Sequence, residues 1–323
     1  MRQLLPAAVL LIVTVATASA QSLPPPSRPA VSWDTQVLVN EAHNLAPDSL
    51  PDLRQRAEAG DARSQVILGL VLEMGAADQK PQPVEALSWF LKAAAQGVSW
   101  AEVWAADFYF SGSPGVPKDM YKALELYKSA ATRGDTRAAF FVGQMYFFGD
   151  GVSTNQHEAA SWFRRAIPAD PDTVTRMVAL SDADCDSSFC VALRQVVGAM
   201  MIGLADRFTG EWDDMTHEWE SLIDLPDSDR CGLTSSDRTE MGDVRNFFCD
   251  SERIADATRG KALAKELADA VQRALPAAYE RKDDFARENP ATFFSRDGYP
   301  HIRVSFNVTP GDAPQRVTLL VGP

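Results

Sequence analysis

Small residues recur with a fixed period across the first half of the chain, among apolar positions that have helical spacing. Gly60, Gly97 and Gly134 are separated by 37 residues in both steps. The same spacing relates two further sets: Gly69, Ala106 and Gly143, and Gly75, Gly112 and Gly149. A period of about 36 residues is typical of stacked helix pairs, so this register predicts three such units.

Each unit has the pattern of two amphipathic helices, A and B, joined by a loop that begins with glycine. In the first unit, helix A ends at Gly75 and helix B begins at Pro83, a residue favoured at the first helical position. A small residue in the middle of each helix A predicts a close approach to helix B. The predicted pairs are Asp61–Met74 with Pro83–Gln96, Ser99–Ser111 with Asp119–Arg133, and Thr136–Phe148 with Asn155–Ile167.

The segment before the repeats predicts a linker and a cap. Residues 21–33 are rich in proline and predict an extended linker. Residues 34–59 carry apolar residues at helical spacing, so two capping helices are expected there. The second resembles helix B of a truncated unit and would cover one end of the stack. The repeat domain is therefore placed at residues 60–168.

The pattern changes after Pro168, and residues 169–323 predict a separate α+β domain. Helices are expected from Ser187 or Ser188 to about Phe208 and over Glu252–Ala277. Alternating apolar and polar residues at 302–309 and 317–321 predict two strands. The result is a mainly α chain that ends in a small antiparallel sheet with two helices on it.

The tryptophan-containing stretch before Pro226 has two interpretations. Trp219–Leu225 alternates like a strand, and the turn residues that follow favour this interpretation. Apolar residues also fall at helical spacing, as an amphipathic helix requires: Trp212, Met215, Trp219 and Leu222.

The repeats resemble a known family at specific residues. The third unit has Ala138-x-x-x-Val142-Gly143-x-x-Tyr146-x-x-Gly149-x-Gly151-Val152, and the first has Ala86-x-x-Trp89-Phe90-x-x-Ala93-Ala94-x-x-Gly97. This pattern is similar to that of the Sel-one-like repeats, relatives of the tetratricopeptide repeats. The resemblance implies an α/α superhelix that contacts other proteins, is often found in exported bacterial proteins and has no catalytic residues of its own.

The resemblance also implies where a partner protein binds. In tetratricopeptide-like pairs, the face of helix A that is not used for packing lines a concave groove. Aromatic residues on that face exceed what the repeat needs for packing, which is typical of a binding surface. The alternative is that they pack against the last helices or the second domain. The implied groove residues are Arg63, Trp100, Val103, Asp107, Phe110, Arg137, Phe140, Gln144, Phe147 and Phe148.

The first residues and the charge indicate where the protein works. Residues 1–20 have a basic start, an apolar stretch and an Ala-x-Ala site at Ala18–Ala20, which predicts a cleaved signal peptide and a periplasmic or secreted protein. Its removal takes away Arg2 and changes the net charge from −13 to −14. Such an acidic chain argues against binding to nucleic acid or to anionic lipid.

All four cysteines follow the repeats: Cys185, Cys190, Cys231 and Cys249. An even number in an exported protein favours two disulfides, for which three pairings are possible. Cys185–Cys190 with Cys231–Cys249 is favoured because each bond closes a local loop. No C-x-x-C motif and no nearby histidine supports a zinc site, so no metal is expected.

Catalytic motifs are absent from the sequence, and neither an enzyme nor a cofactor is predicted. The prediction is an exported scaffold or regulator of the bacterial cell envelope that binds a partner protein in the repeat groove. One alternative is an enzyme acting on an envelope polymer, with Asp213 and His217 on one helical face. The other is a module that binds polysaccharide or peptidoglycan through tryptophans: Trp100, Trp104, Trp212 and Trp219.

Overall fold

The computed structural model describes residues 35–76, 80–166, 171–182, 187–202, 209–213, 218–221, 230–235, 244–251, 254, 257–277, 279–284, 291–297, 299–307 and 316–322. The predicted signal peptide and linker lie outside these residues. Among them, no helix combines the length and the apolar character needed to cross a bilayer.

Helices fill the first two thirds of the described chain, and one more lies among the strands. In chain order they are α1 (Thr35–His43), α2 (Leu50–Glu58), α3 (Ala62–Met74), α4 (Pro83–Ala95), α5 (Ser99–Ser111), α6 (Met120–Thr132), α7 (Thr136–Phe148), α8 (Gln156–Ala166), α9 (Pro171–Asp182), α10 (Ser188–Met201) and α11 (Ala257–Ala274). The pairs α3–α4, α5–α6 and α7–α8 confirm the three predicted helix pairs, with bounds that differ by one residue at most.

An aspartate caps the start of helix A in the first and third units, whereas Val98 precedes α5 and provides no side-chain cap. The Asp61 side chain accepts a hydrogen bond from the backbone N–H of Ser64 at 2.7 Å, and that of Asp135 accepts one from Ala138 at 2.9 Å. These aspartates satisfy N–H groups that the first helical turn leaves open. Gly149 ends α7 in the left-handed conformation, with φ of 84°.

The close approach of helices A and B depends on glycine in two of the three units. A Cβ on Gly69 would lie 2.7 Å from the ring of Phe90, and one on Gly143 would lie 2.6 Å from the ring of Phe163. The middle unit has Ala106 at this position and Tyr127 in place of the phenylalanine. The middle unit therefore departs from the repeat pattern at both positions, a double departure that places the hydroxyl group of Tyr127 where the other units have the hydrocarbon ring of a phenylalanine.

Both ends of the repeat stack are covered by helices of the chain itself. Leu38 of α1 and Leu53 of α2 are buried where these helices pack against α3. Helices α1 and α2 lie within residues 34–59, for which capping helices were predicted, and both pack against α3. At the other end, α9 packs against α8, and α10 follows it. One cluster of buried apolar residues continues from Val103 of the repeats to Val321 near the end of the chain.

The strands form one antiparallel sheet with the order β1-β2-β3-β4-β8-β7-β6-β5. They are β1 (Thr209–Asp213), β2 (Glu218–Ser221), β3 (Arg230–Ser235), β4 (Val244–Asp250), β5 (Glu280–Asp284), β6 (Ala291–Ser295), β7 (His301–Asn307) and β8 (Arg316–Gly322). The strands predicted near 302 and 317 are confirmed as β7 and β8, in a sheet with more strands than the small one expected.

The structure corrects the bounds of two predicted helices and rules out the helical interpretation of the stretch that contains Trp212 and Trp219. The helix expected to reach Phe208 ends at Met201, and the helix expected from Glu252 begins at Ala257. The helical interpretation of the tryptophan stretch is wrong, because Trp212 of β1 lies opposite Trp219 of β2 in an antiparallel pair. The strand interpretation is correct in kind, although the strand covers Glu218–Ser221.

One face of the sheet packs against α11. Val304 of β7 and Leu319 of β8 are buried on this face, and so are Ala264, Ala268 and Val271 of α11. The approach is close enough that a Cβ on Gly260 would lie 2.2 Å from the ring of Phe306.

The sheet contains the predicted disulfide between Cys231 and Cys249. These cysteines lie directly opposite each other on β3 and β4, with Cα atoms 4.1 Å apart. Cys190 is also disulfide-bonded. Cys185, its favoured partner, lies outside the described residues.

Candidate functional site

The candidate site is the groove face, which we define as the surface of α3, α5 and α7 that the predicted groove residues occupy, together with Glu73 and Met74 at the end of α3. Each of these helices is helix A of its unit. Their order in the chain places the three surfaces side by side in the stack.

Four of the predicted groove residues are buried and do not line an open surface: Trp100, Val103, Gln144 and Phe147. Trp100 is 8% exposed and packs edge-on against Trp104, with ring centroids 4.2 Å apart. Trp104 in turn lies 5.1 Å from the ring of Phe90. Trp100 therefore belongs to the packing between the first and second units.

Phe147 is fully buried because α10 lies against the end of α7. A Cβ on Gly198 of α10 would lie 2.7 Å from the Phe147 ring, so glycine makes room for this ring. The Gln195 side chain donates hydrogen bonds to the backbone carbonyls of Phe147 and Phe148, at 3.2 Å and 3.4 Å. For Phe147, the structure therefore shows the alternative arrangement, in which a predicted groove residue packs against one of the last helices.

A chain of polar contacts crosses the middle of the groove face. The Tyr127 hydroxyl of α6 donates a hydrogen bond to Asp107 of α5, and Arg137 of α7 lies 3.5 Å from the other carboxylate oxygen. Burial raises the pKa of Asp107, while the contacts to Tyr127 and Arg137 partly offset this. Burial and the Asp107 charge together raise the pKa of Tyr127, so the phenol keeps its proton and remains a donor.

The third predicted charge is also paired within the chain. Arg63 of α3 forms an ion pair with Glu41 of α1. In both ion pairs, an arginine near the start of a helix A binds a carboxylate of an earlier helix, which is α1 for Arg63 and α5 for Arg137. Arg63, Asp107 and Arg137 therefore connect neighbouring helices, a role that the sequence did not indicate.

Five residues give the groove face an accessible strip: Glu73, Met74, Phe110, Phe140 and Phe148. Met74 is 39% exposed, which is high for a methionine on a helix that is otherwise mostly buried. Desolvation and the nearby Asp107 charge raise the pKa of Glu73. The strip therefore combines apolar side chains with a carboxylate whose charge is disfavoured and would be stabilised by an opposite charge.

Three consecutive segments, residues 62–98, 101–135 and 136–167, match the Sel1 repeat family. Residues 62–167 form three Sel1 repeats. The resemblance seen in the sequence is confirmed for this part of the chain, and α3–α4, α5–α6 and α7–α8 are the helix pairs of the Sel1 repeats.

Proteins with similar Sel1 repeats include two named factors and one solved structure. Chitin synthase regulatory factor 3 of Schizosaccharomyces pombe is 33% identical over 114 residues, which cover 35% of this chain and 12% of that protein. Cytochrome c oxidase assembly factor 7A of Xenopus laevis is 34% identical over 89 residues, which cover 28% and 38%. A Sel1 repeat protein from Oxalobacter formigenes is 28% identical, with 41% of this chain and 54% of that chain covered and a TM-score of 0.37.

This chain spans less than two fifths of the length of the two named factors. Their names describe regulation and assembly and not a catalysed reaction, in agreement with a non-enzymatic role for the Sel1 repeats.

Among the residues of the two alternative functions, Trp212 lies opposite Trp219 on β1 and β2, and Trp100 packs against Trp104 within the repeats. Asp213 ends β1, so it shares no helical face with His217, which lies outside the described residues. Trp100 is buried between Sel1 repeats and offers no platform for a sugar. Within the described ranges, no group of three histidine, cysteine, aspartate or glutamate side chains is placed to hold a metal ion.

The raised pKa of Asp107 predicts a measurable pH effect. An acid whose pKa is raised on folding lowers stability as pH rises above its unfolded value of about 3.9. We expect Asp107→Asn to gain stability relative to the parent protein as pH rises from about 3 to 7, because asparagine does not ionise and so has no buried charge. Asparagine can still accept the hydrogen bond from Tyr127, so this contact is kept. Urea unfolding at a series of pH values measures this difference.

Glu125→Gln is the matched control, since Glu125 is exposed on α6. A relative loss of stability in Asp107→Asn at neutral pH would instead mean that the ion pair with Arg137 outweighs burial.

Proposed function

We propose that this protein is an exported, non-enzymatic scaffold or regulator of the bacterial cell envelope, and that it binds a partner protein on the groove face of its Sel1 repeats. The observation that carries the proposal is the accessible strip. Met74 and Phe110 are apolar side chains that remain exposed or half-buried on helices whose packing contacts are already made.

The arrangement of the stack supports this choice of surface. Helices α1 and α2 cover one end and α9 covers the other, so the ends are not free to take up further repeats. Burial of Phe147 under α10 moves the open part of the groove face toward the first and second units. A partner would therefore anchor apolar side chains near Phe110, where water is most easily displaced.

Export is proposed from the sequence of residues 1–20 and from the cysteines. The Cys231–Cys249 bond needs an oxidising compartment to form and persist. Separately, the names of similar proteins, a regulatory factor and an assembly factor, favour a role that works through contact with other proteins.

Crosslinking at a defined residue tests the proposal. A photoreactive amino acid at position 110 is expected to capture one protein partner in the native envelope. The same group at position 121 is the control, since Tyr121 is 73% exposed on a helix B. Capture of cell-wall polymer at position 110, or equal capture at both positions, would contradict a protein-binding groove.

With the partner in hand, we expect Phe110→Ala and Met74→Ala each to weaken its affinity by about tenfold, the usual effect of losing one buried apolar anchor. Tyr121→Ala should leave affinity unchanged. Titration calorimetry measures the affinities, and thermal unfolding followed by circular dichroism checks that each variant is folded.

A further inference from the structure

A cavity opens on the face of the sheet that α11 does not cover. It has a volume of about 310 Å³, at the small end of the range of about 300–1,000 Å³ for ligand sites in proteins. Residues alternate between the two faces of a strand, so its wall comes from the positions between Val304, Leu319 and the other residues that face α11. Its lining residues, from β6, β7 and β8, include Phe293, Ser295, His301, Arg303, Leu320 and Gly322.

The register of the strands explains the shape of this cavity. Arg303 lies directly opposite Phe293 on one side and Leu320 on the other, which gives a row of three large side chains. Two positions earlier on β7, His301 lies opposite Gly322, which has no side chain. Directly opposed residues have Cβ atoms about 4.5–5.5 Å apart. The glycine therefore leaves open space beside the row, and the large side chains form its wall.

Apolar and basic groups share this wall. Phe293 is 41% exposed, and the Cζ atom of Arg303 lies 5.6 Å from the centroid of its ring. Within the described ranges, the side chains of Arg303 and His301 form no ion pair and no hydrogen bond. The acidic residues of β5 lie beyond β6, and β5 contributes no residue to the wall. In a chain of net charge −13, the cavity thus offers a positive charge that no carboxylate of the described chain neutralises.

We propose that this cavity binds a small monocarboxylate that has an apolar body. The carboxylate would accept two hydrogen bonds from the Arg303 guanidinium, the geometry that this pair of groups favours, and His301 would donate a third. The apolar body would lie against Phe293 and Leu320 and remove their surface from water. The site lies on the sheet, so it does not depend on partner binding at the groove face.

Titration calorimetry of the full mature chain at constant ionic strength tests the proposal with three ligands. We expect saturable binding of sodium octanoate. Sodium acetate lacks the apolar body and 1-octanol lacks the charge, so both should bind at least about tenfold more weakly. Equal binding of octanoate and 1-octanol, or of octanoate and acetate, would overturn the proposal.

Arg303→Gln removes the charge from the wall and should raise the Kd for octanoate by about tenfold or more. Arg273→Gln is the matched control, since it removes an exposed arginine from α11, on the other side of the sheet, and should bind octanoate as the parent does. An unchanged Kd in Arg303→Gln, or an equal loss in both variants, would contradict a site at this cavity.

Gly322→Val tests the location by filling the space beside His301. Valine is favoured in strands, so we expect the variant to fold, as circular dichroism checks, and to bind octanoate at least about tenfold more weakly. Unchanged affinity in the folded variant would place the ligand elsewhere and overturn the proposal.

The imidazole proton signals in the NMR spectrum report on the site in the unaltered chain. The chain has four histidines, and His301→Gln identifies the signal of that residue. Octanoate should shift this signal saturably and leave those of His43 in α1 and His157 in α8 unchanged. A fixed His301 signal, or equal shifts of all three, would contradict binding in the cavity.

Discussion

Replacing Arg194 with alanine is expected to lower the free energy of unfolding by about 3–5 kcal/mol, the range for removing a large buried side chain together with its polar contacts. Arg194 lies on α10 and is 0% exposed. Its Nε donates a hydrogen bond to the carbonyl of Ala274 at 2.7 Å, at the last residue of α11. The substitution would leave a cavity and would also remove a donor from a helix end whose carbonyls have no partner within the helix.

Two further variants separate these contributions. Arg194→Met keeps most of the volume but cannot donate a hydrogen bond, so we expect a loss of about 1–2 kcal/mol. Arg273→Ala removes an exposed arginine from α11 and should change stability by less than about 0.5 kcal/mol. Urea unfolding followed by circular dichroism measures all three. Equal losses for Arg194→Met and Arg194→Ala would assign the effect to the hydrogen bond and contradict the packing argument.

Arg194 also illustrates what the sequence does not reveal about this fold. The Sel1 repeats were predictable because a packing requirement recurs: Gly69 and Gly143 each face a phenylalanine ring at the same point of the unit. An arginine within a helix of apolar periodicity carries no such signal. Its contact with Ala274 joins residues 80 positions apart, and such a contact depends on tertiary structure.

Among the strands, too, some could be predicted from the sequence and others could not. In β7 and β8 one face is buried, so apolar and polar residues alternate and predict a strand. In contrast, β5 is an edge strand with the sequence Glu280–Asp284, composed only of charged residues. Charges on an edge strand protect it from pairing with other chains, and they also remove the alternation by which it could be predicted.

For the groove face, the family resemblance implied a set of positions but not which of them other helices cover. Phe110 and Phe147 lie at the same position of successive units, yet Phe110 is half-buried and Phe147 is fully buried. The difference comes from α10, whose Gly198 admits the ring of Phe147. Similarly, the contacts of Asp107 with Arg137 and Tyr127 arise in the middle unit, which has Ala106 in place of glycine and Tyr127 in place of phenylalanine. A family pattern describes each position separately, so it does not show that these two changes belong together.

Removing the Cys231–Cys249 bond is expected to cost about 3 kcal/mol, the loop-entropy value for cysteines 18 residues apart. Both sulfurs are buried between β3 and β4, so Cys231→Ala with Cys249→Ala is the suitable variant, because serine would bury two hydroxyls. Unfolding by urea without reductant measures the loss. Because the second disulfide remains in this double variant, the difference from the parent reports on one bond.

The same variant tests whether the sheet and the helical stack unfold together. Cys231 and Cys249 belong to a buried apolar cluster that also contains Val142 and Phe163 of the third Sel1 repeat. Because the cluster is continuous, we expect one cooperative transition, in which loss of the bond shifts the signal of helices and strands to the same lower midpoint. An early loss of the sheet signal with the helical signal unchanged would show that the shared core does not couple them. It would also support the predicted boundary at residue 168 as a division between independently stable domains.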